Sequence, residues 1–162
     1  MTVMKFKSLL LLIIITLSAF ALWACVHTTT PPVTTSGLDY ADFDTITSFD
    51  QIFIQEEGTY LVYLYSSSCS NCLSIKETVL NFALTYPYHT IFFFNVYGYK
   101  DTNPEVQQYL EDVNLAKLLV PSLLVIVNNE FDTTQMNKYY YEGKTRITAF
   151  LDDLQKGGFI FE

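Results

Sequence analysis

The chain predicts an α/β fold in which a central mixed β-sheet is flanked by helices, and three observations carry that reading. Two apolar runs, TYLVYLY at 59–65 and TIFFFNV at 90–96, have the length and the aromatic and β-branched content of buried strands. Between them Ile75, Val79, Phe82 and Ala83 recur at helical spacing, so a helix over 70–86 joins the two runs as a β-α-β unit before Pro87 stops it. A third run, SLLVIV at 122–127, leads through Asn128-Asn129 into a short edge strand and a last helix, an ending that makes the sheet mixed.

The remaining elements follow in order. Residues 40–46 read as a first strand, and Ser48 caps a short helix over 49–57 that Gly58 ends. After the strand at 59–65, Ser66, Ser67 and Ser68 supply turn and N-cap chemistry for the helix that follows. Beyond the strand at 90–96, Asn103 and Pro104 open a helix through Tyr109 and Asp112, since a proline in the first turn gives up no hydrogen bond. The apolar stretch 115–119 leads to the strand at 122–127. Residues 138–142 form an edge strand, on which the alternating Tyr139, Tyr140 and Tyr141 divide between core and solvent, and Gly143 breaks the chain before a final helix over 145–155. No internal repeat is present.

A length of 162 residues suits one ordinary domain, and 13 Phe and 12 Tyr provide an aromatic-rich core. All 17 acidic residues lie at or beyond Asp39, whereas Lys5 and Lys7, two of the nine basic ones, precede it. So acidic a surface repels phosphate backbones, and nucleic-acid binding is not expected. Residues 1–25 read as an export signal, with Lys5 and Lys7 ahead of the apolar run 9–24 and Cys25 at its end. Leu22-Trp23-Ala24-Cys25 resembles a bacterial lipobox, which implies a lipid on Cys25 and a domain outside the cytoplasm, anchored to the bacterial cell membrane. An uncleaved N-terminal helix would tether it equally. Residues 26–38, dense in Thr and Pro, read as an extended tether, and 39–162 as the folded domain.

Cys69-Ser-Asn-Cys72 carries the chemistry. Cysteines three apart at a helix start share one face, within the Cα separation that a disulfide spans, so the pair can open and close with little backbone movement. The first-turn cysteine feels the positive end of the helix and its unpaired amides, which lower its pKa from about 8.5. Cys69 is thus the expected nucleophile and Cys72 the resolving thiol. The same spacing also provides half of a structural zinc site, which needs two further Cys or His ligands. Cys25, His27 and His89 are the remaining choices; two lie in the anchor and tether and the third in a turn, so neither a metal nor another cofactor is expected. Ser-His-Asp order, a glycine-rich phosphate loop and an HExxH helix are absent from the sequence.

A strand, CxxC opening a helix, a second buried strand, then Val120-Pro121-Ser122 before a strand pair with Gly143 and a terminal helix resemble the thioredoxin superfamily over roughly 45–162. With the lipobox, the chain is similar to thioredoxin-like lipoproteins and bacteriocin transport accessory proteins of bacteria. The resemblance implies a thioredoxin-like fold, a cis Val120–Pro121 bond beside the cysteines, and substrate pairing with the backbone of Val120. It also implies that Cys69 and Cys72 are catalytic. Three positions depart from the pattern: Ser70-Asn71 fills the CxxC, Ser68 replaces a tryptophan, and Tyr63 replaces a buried aspartate that assists proton transfer.

The expected function is therefore a membrane-tethered extracytoplasmic thiol-disulfide oxidoreductase acting, as a monomer, on exported cysteine-containing proteins or peptides, with a membrane redox partner. The competing reading is a lipoprotein that keeps the fold as a binding or accessory module, for example in bacteriocin export, with Cys69–Cys72 as a static bond. Exposure of Cys69 separates the two, because a catalytic thiol must be reached.

Overall fold

The computed structural model describes residues 35–158. The expected signal at 1–25, Cys25 and most of the tether lie outside the described residues. Five strands form one mixed sheet: β1 (Thr45–Ile46), β2 (Tyr60–Tyr65), β3 (Ile91–Asn95), β4 (Ser122–Ile126) and β5 (Tyr140–Glu142). Their spatial order is β1-β3-β2-β4-β5. The β1–β3 and β2–β3 pairs are parallel, and β2–β4 and β4–β5 antiparallel. The helices are α1 (Ser70–Ser74), α2 (Lys76–Thr85), α3 (Pro104–Asp112), α4 (Met136–Tyr139) and α5 (Gly143–Gln155).

Strand alternation splits the core into two layers. Leu61 and Tyr63 of β2 and Phe93 of β3 face Val79 and Phe82 of α2 and Ile147 and Leu151 of α5. Tyr60, Val62 and Leu64, with Phe92 and Phe94, face the opposite way, onto Val106 and Tyr109 of α3 and onto Phe49 and Ile52. Both layers are buried, which is why the β2 and β3 runs read as nearly continuous apolar sequence.

Several expectations hold in detail. Asn103 caps α3 by accepting from the Glu105 amide, with Pro104 in the first turn. Asn128 and Asn129, at φ +54° and +63°, form a two-residue turn closed by paired Val127–Glu130 hydrogen bonds of 3.0 Å.

Other expectations are corrected. Residues 40–46 are mostly not a strand: Asp39 and Asp42 form a reciprocal capping box around a 3-10 turn, Tyr40–Asp42, and pairing is confined to Thr45–Ile46. The helix after Ser48 is a 3-10 segment, Phe49–Phe53, ending well before Gly58, and the Ser48 side chain makes no capping bond. The helix over 70–86 is broken at Ile75, whose φ of −116° and ψ of 7° leave the helical region. The expected edge strand 138–142 begins at Tyr140, because Lys138 and Tyr139 belong to α4. Gly143 is the first residue of α5 instead of a break before it. Among the described residues no helix is long and apolar enough to cross a membrane.

Candidate active site

The parallel β2–β3 pair runs its strands to one end of the sheet, where Tyr65 lies opposite Asn95. Chain leaving β2 turns there into α1. Ser66 accepts the Cys69 amide on its carbonyl at 3.0 Å, and the Ser66 and Ser68 hydroxyls pair at 3.1 Å. The serines therefore build the turn, and the capping position passes to Cys69 itself. Its Sγ accepts the Cys72 amide at 3.1 Å, one of the first-turn N–H groups that lack a partner within a helix. An amide aimed at that sulfur is the kind of donor a thiolate would accept from, in keeping with the expectation that Cys69 is the nucleophile.

Cys69 and Cys72 are joined as a disulfide with Cα atoms 5.2 Å apart. Cys69 is partly exposed, whereas Cys72 is 1% exposed. The antiparallel β4 starts at the same end of the sheet, with Ser122 opposite Leu64, and this brings the preceding residues to the cysteines. The Val120–Pro121 bond is cis, and the Val120 carbonyl oxygen lies 3.7 Å from Cys69 Sγ. Pro121 is fastened in turn, because its carbonyl accepts the Gly143 amide at 2.9 Å. Gly143 has φ +74°, a left-handed conformation that glycine adopts at little cost as it opens α5. All four residues expected at the site on the described part of the chain, Cys69, Cys72, Val120 and Pro121, thus come together.

Behind Cys72 the structure adds residues that sequence reasoning missed. The Tyr40 hydroxyl donates to the Cys72 carbonyl in a long bond of 3.4 Å, across 32 positions of sequence. Asp39 bridges Lys76 at 3.1 Å, and the Lys76 ammonium stands 5.5 Å over the Tyr40 ring. The D-x-x-D spacing of Asp39 and Asp42 was the signal for a local turn here. Nothing local announced the reach to Cys72.

Tyr63, on β2 beneath this cluster, is fully buried, and its hydroxyl interacts with that of Tyr40. Burial first, and the neighbouring Tyr40 second, push its pKa far above the ordinary value. A tyrosine so held stays neutral and cannot take a proton as a carboxylate would. Ser68 is exposed, while the apolar side chains left open at this end of the sheet are Leu73, 59% exposed next to Cys72, and Tyr97, 64% exposed just beyond β3. His89 lies in the turn between α2 and β3, and Cys25 and His27 lie outside the described residues. Among the described residues no three His, Cys, Asp or Glu side chains gather to hold a metal.

No family model matches the chain, and no curated protein does. Solved structures do. A chain from a yeast structure of the thiol resolving mechanism in mitochondrial 1-Cys peroxiredoxin via glutathione/thioredoxin systems is 11% identical, with a TM-score of 0.50; the match covers 74% of this chain and 96% of that one. Thioredoxin f2 of Chlamydomonas reinhardtii is 11% identical over 73% of this chain and 99% of that one, at 0.49. Oxidized thioredoxin O2 of Arabidopsis thaliana is 14% identical over 74% and 95%, at 0.49. At such identities a likeness is one of backbone path, and that to the yeast chain, with the mixed sheet of order β1-β3-β2-β4-β5, gives the chain a thioredoxin-like fold.

Proposed function

We propose that the chain is a thiol-disulfide oxidoreductase that works outside the cytoplasm, tethered to a membrane by a lipid on Cys25, on cysteines of exported proteins or peptides. The observation that carries the reading is the asymmetry of the pair: a partly exposed Cys69 whose sulfur takes a helix amide, backed by a buried Cys72. A purely structural bond requires no such exposure.

In the reducing direction the Cys69 thiolate attacks a substrate disulfide, forming a mixed disulfide and expelling one substrate thiolate, which takes up a proton. Cys72 then loses its proton and attacks Cys69 Sγ, re-forming the Cys69–Cys72 bond and releasing the second substrate thiol. Two electrons pass from the dithiol to the substrate, and oxidation of a substrate dithiol reverses each step. An extended substrate segment would pair with the backbone at Val120, beside Cys69, while Leu73 and Tyr97 offer the apolar contact that Ser68 cannot. A membrane redox partner would restore the dithiol. The lipobox-like end at Cys25 supports the extracytoplasmic placement.

Reduction of the purified chain followed by alkylation across pH tests the reading. Cys69 should react faster than an unfolded control below the ordinary thiol pKa, and the dithiol should reduce insulin disulfides. If neither thiol outpaces the control and insulin stays oxidised, the pair is a static bond and the chain a binding module.

A further inference from the structure

The helix carrying Cys72 breaks at Ser74-Ile75-Lys76, a stretch with neither glycine nor proline to cause it. Breaks of that kind arise where a side chain inserts into the ladder of backbone hydrogen bonds. At this break the Cys72 carbonyl receives the Ile75 amide, three residues on, at 3.4 Å, and the Tyr40 hydroxyl at the same distance, while the Ser74 hydroxyl bonds back to the Asn71 carbonyl at 2.8 Å. The residue after the break, Lys76, is the one that Asp39 holds. Two adjacent residues of one N-terminal strap therefore grip the two sides of the break.

The Tyr40 ring is itself fixed to the sheet, with centroids 4.1 Å from Tyr65, 5.1 Å from Phe93 and 5.7 Å from Tyr63. We infer that the Asp39–Tyr40 strap clamps this helix break to the sheet, and that Tyr40 is a positioning residue which keeps the Cys72 sulfur within bonding reach of Cys69. The charged and titratable groups around Tyr40 are Asp39 on its own strap, Lys76 from α2, and Tyr63 and Tyr65 from β2. Burial pushes the Tyr40 hydroxyl up to about 12, so it remains a proton donor across the range in which thiols exchange. The effect of the clamp on turnover rests on the oxidoreductase reading; its effect on closing the disulfide does not.

The consequence is a high effective concentration of Cys72 at Cys69. Glutathione measures it directly. One glutathione thiolate attacks Cys69 Sγ, and Cys72 leaves as a thiolate and takes a proton. A second glutathione thiolate then attacks the glutathione sulfur of the mixed disulfide, releasing Cys69 and one glutathione disulfide. A loosened Cys72 closes back onto the mixed disulfide less readily, so both the dithiol and the mixed-disulfide fractions rise.

The test equilibrates the full chain and its variants with glutathione buffers, traps thiols with acid, and measures insulin reduction alongside. Tyr40→Phe, which keeps the ring, should move the equilibrium about three- to tenfold toward the dithiol and raise the Cys69–glutathione adduct. Lys76→Met should act in the same direction by about twofold, Lys76→Arg should stay at the parent value, and so should Tyr65→Phe, which alters the same cluster without touching the clamp. Unchanged equilibria in folded Tyr40→Phe and Lys76→Met overturn the clamp. Equal shifts from Tyr65→Phe and Tyr40→Phe overturn it too, because packing and not the hydroxyl would then be responsible. Should Tyr40→Phe fail to fold, Lys76→Met against Lys76→Arg decides. A parent chain that reduces no insulin sinks the oxidoreductase reading, while its glutathione equilibrium still judges the clamp.

Discussion

The two faces of the sheet use the same device for different ends. On the α3 face, the Tyr60 hydroxyl donates to the Ile52 carbonyl at 2.8 Å, at the end of the 3-10 segment Phe49–Phe53. On the α2 face, the Tyr40 hydroxyl donates to the Cys72 carbonyl in the short helix α1. Both carbonyls sit near the end of a brief helical segment, where C=O groups run short of helical partners, and a buried tyrosine adds a bond there, at Cys72 beside the long one from the Ile75 amide. On one face the residue served is an isoleucine and the gain is stability. On the other it is a cysteine, so the same bond bears on chemistry. A buried polar contact becomes functional through what its partner can do.

The strongest way to sharpen that contrast acts on the cysteine itself. Cys69→Ala should abolish insulin reduction while leaving both faces folded, and Cys72→Ala should trap mixed disulfides at Cys69, read by mass spectrometry. Next come Phe93→Ala and Phe94→Ala, adjacent residues of β3 on opposite faces. Each should cost about 3–5 kcal/mol in urea unfolding, the usual loss for a buried phenylalanine. Only Phe93→Ala, which removes a ring 5.1 Å from Tyr40, should also shift the glutathione equilibrium. Equal redox shifts from both would break the comparison.

Smaller again is Tyr60→Phe. Losing its hydroxyl strands the Ile52 carbonyl and should lower stability by about 1 kcal/mol with the glutathione equilibrium unmoved. Smallest is the acid limb of stability. The Lys76 ammonium, and then the Tyr40 amide, hold the Asp39 carboxyl below its ordinary value of 3.8. Its contribution is therefore complete above that value and lost as pH falls through the lower folded pKa. Asp39→Asn should lower the urea midpoint at neutral pH, and the gap to the parent chain should close in acid, below the lowered Asp39 pKa. A gap that persists in acid would mean the carboxylate's charge is not what fastens the strap.

How far the sequence could be read follows from the range of each interaction. The strands β2, β3 and β4 were legible because burial on both faces writes itself as an uninterrupted apolar run. The start of α3 and the Asn128-Asn129 turn were legible because their chemistry is local, and the CxxC pair announced itself by spacing. Val120 and Pro121 were found through resemblance to a family pattern; no local signal joins them to Cys69. The break at Ile75 was not legible, since the contact that meets it comes from Tyr40, far off in sequence. Residues 40–46 misled because Tyr40, Phe43, Thr45 and Ile46 are residue types that strands favour, while the Asp39–Asp42 box competes for the same backbone. The displaced start of β5 has a similar origin: Tyr139 is buried as a strand residue would be, yet it closes the turn of α4.

The 3.7 Å approach of the Val120 carbonyl to Cys69 spans 51 positions of sequence, whereas Cys72 is only three away. During synthesis the thiol pair therefore emerges as a complete local unit before β4, with its proline wall, has left the ribosome. Contacts so distant in sequence form late, after much of the chain has condensed. For that interval the cysteines stand without the Val120 carbonyl that later approaches Cys69. On the proposed reading, whatever selectivity that wall confers is thus the last property the molecule acquires, and an oxidising environment met before β4 docks would find the two thiols without it.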